Sequence, residues 1–201
     1  MKGVIFDFDG VIYNTFEMVY ELHKKVFNKD LTREELKSFF DGNYLSNAEK
    51  KYSNKDRKEF RKLEFEETQK LKVDKIVREN LLKLSKTYKL FIISSNSEYN
   101  LKIFLENNNM EFFQEVLGEE SWKKKEEKFN RIFKNYWFDP EELVFVTDTL
   151  WDLTEAEKIW IPAIACSFGY HEKERLTNWT YYEIVDKFEE ISDVIARMEK
   201  F

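Results

Sequence analysis

Ten residues near the start of the chain, Gly3-Val4-Ile5-Phe6-Asp7-Phe8-Asp9-Gly10-Val11-Ile12, constrain its fold more than any other stretch. A short apolar run bounded by a turn residue reads as a buried strand of a parallel sheet. Asp7 and Asp9 fall at its C-terminal end and, two residues apart, point the same way, because strand side chains repeat every second residue. Open α/β sheets bind ligands at the carboxyl ends of their strands. Burying unpaired carboxylates costs several kcal/mol or more, so a cationic partner is required. A divalent ion that prefers oxygen ligands, Mg²⁺ above others, is the simplest one.

The remaining 191 residues supply strands to pair with the first. Strand-like runs are predicted at 4–8, 90–94, 143–147 and 162–166, with Val116-Leu117 as a further short strand and 182–185 as an edge strand. Charged stretches of helical period separate them, the alternation of a parallel α/β sheet. The interval between the first two strands is far longer than a βα connection needs. Within it, 15–27 carries Phe16, Val19, Leu22, Val26 and Phe27 on one helical face, and Thr32 with Glu35 forms a capping-box signature opening a helix to Phe40. Asp41-Gly42-Asn43 breaks that helix, and 47–52 and 56–71 read as helices again. The expectation is a Rossmann-like parallel sheet with helices on both faces, formed by 1–14 and 79–201, plus a small all-helical insertion over 15–78. A longer single domain with extra helices is the alternative. Asn107-Asn108-Asn109 reads as a turn.

Bulk composition sets limits. Of the 201 residues, 42% are hydrophobic and 17% aromatic, enough for a bulky core. The formal net charge of -6 argues against a broad nucleic-acid footprint. The lone cysteine, Cys166, lies in an apolar run and reads as a small core residue in a reducing compartment. No apolar stretch approaches a membrane span and none resembles a signal peptide, so a cytoplasmic location is expected.

Four groups fall at predicted strand ends or helix starts: Asp7 with Asp9; Ser94-Ser95-Asn96-Ser97 after Leu90–Ile93; the lysines Lys123-Lys124-Lys125; and Asp148 with Asp152 after Leu143–Val146. Hydroxyls and backbone N–H groups at a helix start hold anions. A positioned nucleophile, a metal and cations around equatorial oxygens are what phosphoryl transfer needs. Taken singly these residues mean less, since Ser95 makes an ordinary helix cap and Asp152 an ordinary first-turn carboxylate. His23 and His171 read as surface or packing residues, and Trp151 and Trp160 as core or interface.

In this order the groups resemble the motifs of the haloacid dehalogenase superfamily. Asp7-Phe8-Asp9-Gly10-Val11-Ile12 matches its first motif, Ser95 followed by Asn96 its second, a lysine its third, and Val146-Thr147-Asp148-Thr149 with Asp152 its fourth. Ser167-Phe168-Gly169-Tyr170 is similar to the segment after the next strand. Helical-cap members such as phosphoglycolate phosphatase and β-phosphoglucomutase look most alike. Two positions depart from the pattern: Thr147 replaces a frequent Gly, and Asn14 stands where Asp is common.

The resemblance implies the following roles. Asp7 is the nucleophile and Asp9 the general acid and base. Ser95, Asn96 and a lysine bind the phosphoryl group. Asp7, Asp9 (through its carbonyl), Asp148 and Asp152 hold Mg²⁺. Spacing favours Lys123 as that lysine, one helix plus a strand ahead of Asp148, with Lys125 next. Gly42 and Asn43 fall where capped relatives place a substrate-selecting loop. The implied reaction is hydrolysis of a small phosphorylated metabolite through an aspartyl-phosphate, and Asp9 argues against dehalogenation, whose leaving group needs no proton. A phosphomutase would use the same core with an added cationic site, for which Arg33, Lys37, Lys50 and Lys51 are candidates. A non-catalytic binding protein is the third reading.

Overall fold

The computed structural model describes residues 1–121 and 124–200. Six strands, β1 (Gly3–Phe6), β2 (Lys89–Ile93), β3 (Glu115–Leu117), β4 (Leu143–Thr147), β5 (Ala163–Cys166) and β6 (Glu183–Val185), form one sheet. All pair in parallel in the order β3-β2-β1-β4-β5-β6. The chain runs outward from β1 through β2 to β3 and then returns to the other side of β1. The order therefore reverses beside β1, and such a switch point opens a crevice at the strand ends.

Register sets what lies in that crevice. Phe6 is level with Ile92 of β2 and with Val146 of β4. The next residues on the three strands, Asp7, Ile93 and Thr147, are therefore neighbours, and Ser94 and Asp148 follow one step on.

Alternate residues of the central strands feed two cores, as the two-residue strand period requires. Phe6, Ile92 and Val146 pack against α5 (Lys75–Leu84), α6 (Glu98–Asn107) and α10 (Glu190–Met198). Ile5, Phe91 and Phe145 pack against α7 (Lys125–Tyr136) and α8 (Leu150–Lys158). Cys166 is fully buried in the first core.

Between β1 and α5 the chain forms α1 (Phe16–Val26), α2 (Arg33–Ser38), α3 (Tyr44–Lys51) and α4 (Asn54–Thr68). Phe16, Val19, Leu22, Leu36 and Phe60 make a third apolar cluster, joined by Tyr170 from the loop after β5. Thr32 and Glu35 close the capping box at α2 with both reciprocal bonds. Phe39–Asp41 tightens into a 3-10 turn, and α3 then opens at Tyr44, earlier than expected, because the Asn43 side chain accepts from Ser46 N at 2.9 Å.

The structure refines three readings. Asn108 is more than a turn residue: it is buried, donates to Phe104 O (2.7 Å) and Leu71 O (3.3 Å), and accepts from Val73 N (2.9 Å), tying the return of the helical insertion to α6. Trp160 is 84% exposed, because the chain takes a left-handed turn after α8 that carries Ile161 inward instead. His23 and His171 are both packing residues, fully buried. Among the described residues, no helix is long and apolar enough to cross a membrane.

Candidate active site

Asp7 leaves the end of β1 with its backbone N–H donating to Val146 O of β4 at 2.9 Å. Its Oδ1 accepts from Phe8 N at 2.6 Å, and its Oδ2 from Lys125 Nζ at 2.5 Å. The same ammonium donates to Asp152 Oδ2 at 2.6 Å, which also accepts from Thr147 Oγ1 at 2.8 Å. Thr147, the residue in place of a frequent Gly, thus orients the carboxylate that holds the lysine. Lys123 lies outside the described residues. Among the described residues, Lys125, the first residue of α7, is the lysine in contact with Asp7, whereas spacing favoured Lys123.

The charges in this group work against burial. Burial pulls the Lys125 pKa down, but Asp152 and Asp7 outweigh it and hold the ammonium charged. Burial likewise raises Asp152, and Lys125 beside it brings the carboxyl below its ordinary value. Asp7 stays well above its ordinary value, because burial outweighs Lys125 and the carboxylates of Asp152 and Asp148 add repulsion.

Asp9 turns to the other side of the crevice. Its Oδ1 accepts from Thr15 Oγ1 at 2.6 Å, and Ser94 Oγ (3.3 Å) and Asn96 Nδ2 (3.4 Å) approach its Oδ2. Thr15 Oγ1 also shares a hydrogen bond with Tyr170 OH at 2.8 Å. Thr15 therefore serves Asp9, while Asn14 takes over the helix start, its Oδ1 accepting from Phe16 N at 3.1 Å. Burial raises the Asp9 pKa, partly offset by the bonds from Thr15 and Asn96. Ser95 lines the small pockets beside Asp7, Asp9 and Lys125, and Gly42 and Asn43 of the helical insertion reach one of them.

Asp148 is fully buried, one step beyond β4. Its Oδ2 accepts from Tyr170 N at 2.6 Å, whereas its Oδ1 has no hydrogen-bond partner among the described residues. Gly10, at φ +79°, and Gly169 both press against this carboxylate, and a Cβ on either would collide with its Oδ2. Burial pushes the Asp148 carboxyl up to about 8.

Asp7, Asp9 and Asp148 are three buried carboxyls with raised proton affinity, and the Oδ1 of Asp148 has no hydrogen-bond partner among the described residues. Among the described residues no three carboxylate, imidazole or thiol side chains cluster closely enough to enclose a metal. Mg²⁺ keeps several waters and takes one or two protein carboxylates beside substrate oxygens. Asp7 and Asp148, the latter with an unpartnered Oδ1, are carboxylate donors of that kind. Asp152 is committed through Oδ2 to Lys125 and Thr147.

The sequence matches the haloacid dehalogenase-like hydrolases over residues 4–166. The chain belongs to this family. Its fold is similar to a haloacid dehalogenase-like family hydrolase from Streptococcus pneumoniae (TM-score 0.84, 17% identity, 97% of this chain and 98% of that one). It is also similar to a predicted phosphoglycolate phosphatase from Haemophilus somnus (TM-score 0.76, 21% identity, 97% and 98%). CbbY from Rhodobacter sphaeroides, solved with phosphate, superimposes at a TM-score of 0.77 with 15% identity, covering 95% and 96%. No curated protein matches the sequence.

Several residues around the site carried no readable signal. Lys128, one turn along α7 from Lys125, is fully buried and donates to Ser94 O at 2.6 Å. Arg61 and Glu64 of α4, in a helix that reads as a solvated charged face, turn inward: Arg61 Nη1 donates to Glu64 Oε2 at 2.6 Å and Nη2 donates to Glu119. Glu155 of α8 lines the pocket with Trp151. Of these, only the three-residue spacing of Lys125 and Lys128 is a pattern the sequence could have offered, since it puts both on one helix face.

Proposed function

We propose that this hydrolase is a phosphatase for a small phosphorylated metabolite, working through an aspartyl-phosphate on Asp7, with the helices of 15–78 as its cap. The reading rests above all on one observation: Asp7, held by Lys125 at 2.5 Å, opens with Asp9 and Ser95 onto a single pocket.

A carboxylate oxygen of Asp7 attacks phosphorus, and the bond from phosphorus to the substrate's alcohol oxygen breaks. Asp9, whose raised pKa favours its protonated form, gives its proton to the departing alkoxide. Thr15 and Asn96 hold the Asp9 carboxyl in place. Deprotonated Asp9 then takes a proton from water as that water attacks the phosphoryl group, releasing inorganic phosphate and restoring Asp7. Lys125 neutralises charge on the transferring group, and Asp152 and Thr147 keep its ammonium aimed at Asp7. Ser95, which lines the pocket with Asp7 and Asp9, donates to a phosphoryl oxygen. Asp7, Asp148 and the Asp9 carbonyl would hold Mg²⁺, which would supply Lewis-acid stabilisation of the phosphoryl charge.

The mutase reading draws no support from the cations considered for it. Arg33 is paired with Glu17 and Lys37 with Glu172, Lys51 stands over the Phe39 ring, and neither these nor Lys50 line the pockets at Asp7 and Asp9.

The test is Mg²⁺-dependent release of phosphate from p-nitrophenyl phosphate. Asp7→Asn should abolish it; activity that survives either chelation or that substitution refutes the scheme.

A further inference from the structure

One hydrogen bond to the Asp9 carboxyl is much shorter than the rest. Thr15 Oγ1 donates to Oδ1 at 2.6 Å, whereas Ser94 Oγ and Asn96 Nδ2 stand 3.3 and 3.4 Å from Oδ2. A hydroxyl carries one proton and two lone pairs, and it rotates to suit its neighbours. The Thr15 proton goes to Asp9, so in the 2.8 Å bond between Thr15 Oγ1 and Tyr170 OH it is Tyr170 that donates. That donation occupies a lone pair of Thr15 Oγ1 and keeps the threonine proton turned toward Asp9. The three side chains form a relay from Tyr170 through Thr15 to Asp9.

Tyr170 is itself immobilised. Its backbone N–H donates to Asp148 Oδ2 at 2.6 Å. Its ring stands nearly perpendicular to those of Phe16 in α1 and Phe40 in the 3-10 turn, at 5.1 and 4.7 Å. Packing of this kind needs only the ring, which a phenylalanine would supply. A buried hydroxyl costs free energy unless it is hydrogen-bonded, and the partner this one has is the anchor of Asp9. We infer that Tyr170 is a positioning residue for the phosphatase reaction: acting through Thr15, it holds the Asp9 carboxyl where that group delivers its proton to the leaving oxygen. The inference rests on the phosphatase reading and deepens it. A small displacement of the acid from that line costs rate, because proton transfer needs the donor within hydrogen-bond reach of the departing oxygen.

The experiment compares phenyl phosphate with p-nitrophenyl phosphate. The two esters differ little in shape, but phenolate is a far more basic leaving group than p-nitrophenolate and depends more on being protonated. Because kcat/KM reports the steps up to formation of the aspartyl-phosphate, it is measured for both esters in the wild type, Tyr170→Phe, Thr15→Val and the double variant. Both esters are read on the same preparation, so any loss of folded protein cancels in the phenyl-to-nitrophenyl ratio. That ratio should fall about ten-fold in Tyr170→Phe, a part of the roughly 10²–10⁴ that a positioned general acid contributes. In the Thr15→Val background, Tyr170→Phe should lower it no further, since the path to Asp9 is already cut. A ratio unchanged in Tyr170→Phe, or a fall that adds in full to that of Thr15→Val, overturns the relay and leaves the phosphatase reading intact. A wild-type protein that hydrolyses neither ester overturns both.

Discussion

Lys125 Nζ stands between two carboxylates, 2.5 Å from Asp7 Oδ2 and 2.6 Å from Asp152 Oδ2, all three side chains nearly excluded from solvent. Two negative charges share one positive charge there, so removing the ammonium leaves both acids unpaired in a poor solvent for charge. Lys125→Met should lower kcat by about 10²–10³, the loss typical for removing one preorganised stabilising donor. It should also destabilise the fold by about 3–5 kcal/mol, as breaking a buried ion pair does. Steady-state kinetics and urea unfolding check the two effects separately, and a Lys125→Met enzyme with wild-type kcat would remove the lysine from the mechanism.

Lys128 lies one turn further and donates to the carbonyl of Ser94 at 2.6 Å. Burial lowers its pKa to about 8, with the neighbouring Lys125 charge adding to the effect. Its anchor fixes the loop whose Ser94 hydroxyl and Asn96 amide reach Asp9. Lys128→Met should lose that hydrogen bond, worth about 1–3 kcal/mol with the carbonyl left unpaired, and raise KM for phosphate esters more than it lowers kcat. Equal falls in kcat and kcat/KM would place Lys128 in the chemistry instead.

Asp148 supplies the test of metal binding that does not depend on turnover. A ligand that binds only the folded state stabilises it by about 2.7 kcal/mol at one hundred times its Kd. Mg²⁺ should therefore raise the melting temperature of the wild type and leave Asp148→Asn unchanged. Chelation should reverse the rise. An equal shift in both proteins would move the ion elsewhere.

Gly10 combines a left-handed backbone, φ +79°, with contact against the Asp148 carboxylate. Gly10→Ala incurs both backbone strain of about 1–3 kcal/mol and a collision with Asp148 Oδ2. Activity should fall to background while circular dichroism still reports a folded α/β protein at low temperature; near-normal kcat would show that the carboxylate can retreat without consequence.

His23 makes the helices between β1 and α5 sensitive to acid. Its ring is packed among Phe27, Tyr52 and Phe60, and its Nδ1 has no hydrogen-bond partner among the described residues. Burial lowers its pKa to about 3, with Lys51 and Arg61 adding repulsion. The unfolded chain, with an ordinary value near 6.5, binds the proton more readily, so stability from neutral His23 is complete above about pH 6.5 and declines as pH falls toward 3. At pH 5 the loss amounts to about 2 kcal/mol. The buried carboxylates Asp7, Asp9 and Asp148 shift the other way, so the measurement is a difference. Unfolding of wild type minus His23→Phe, at pH 7.5 and 5.0, should change by that amount, and a pH-independent difference would contradict it.

Strand positions were legible because a parallel strand needs a short, apolar, bounded run, and Val4-Ile5-Phe6, Leu90–Ile93, Leu143–Val146 and Ala163–Cys166 each supply one. The helix starting after Thr32 was legible for a similar reason, since a capping box is local chemistry. The inward turn of Arg61 and Glu64 was not. A charged helix reads as solvated unless a second element, here the loop carrying Glu119, meets it.

By itself the sequence determined the strands, the parallel sense of their sheet and the carboxylates waiting at the strand ends, because those depend on periods of two and 3.6 residues and on neighbours in the chain. Only the tertiary structure decided that Lys125 occupies the space between Asp7 and Asp152, that Lys128 holds Ser94, and that Tyr44 and Arg61 line both the pocket at Asp9 and a cavity beside α3 and α4. Each of those is a contact between distant segments, and such contacts follow from strand register and helix packing, which no local pattern encodes.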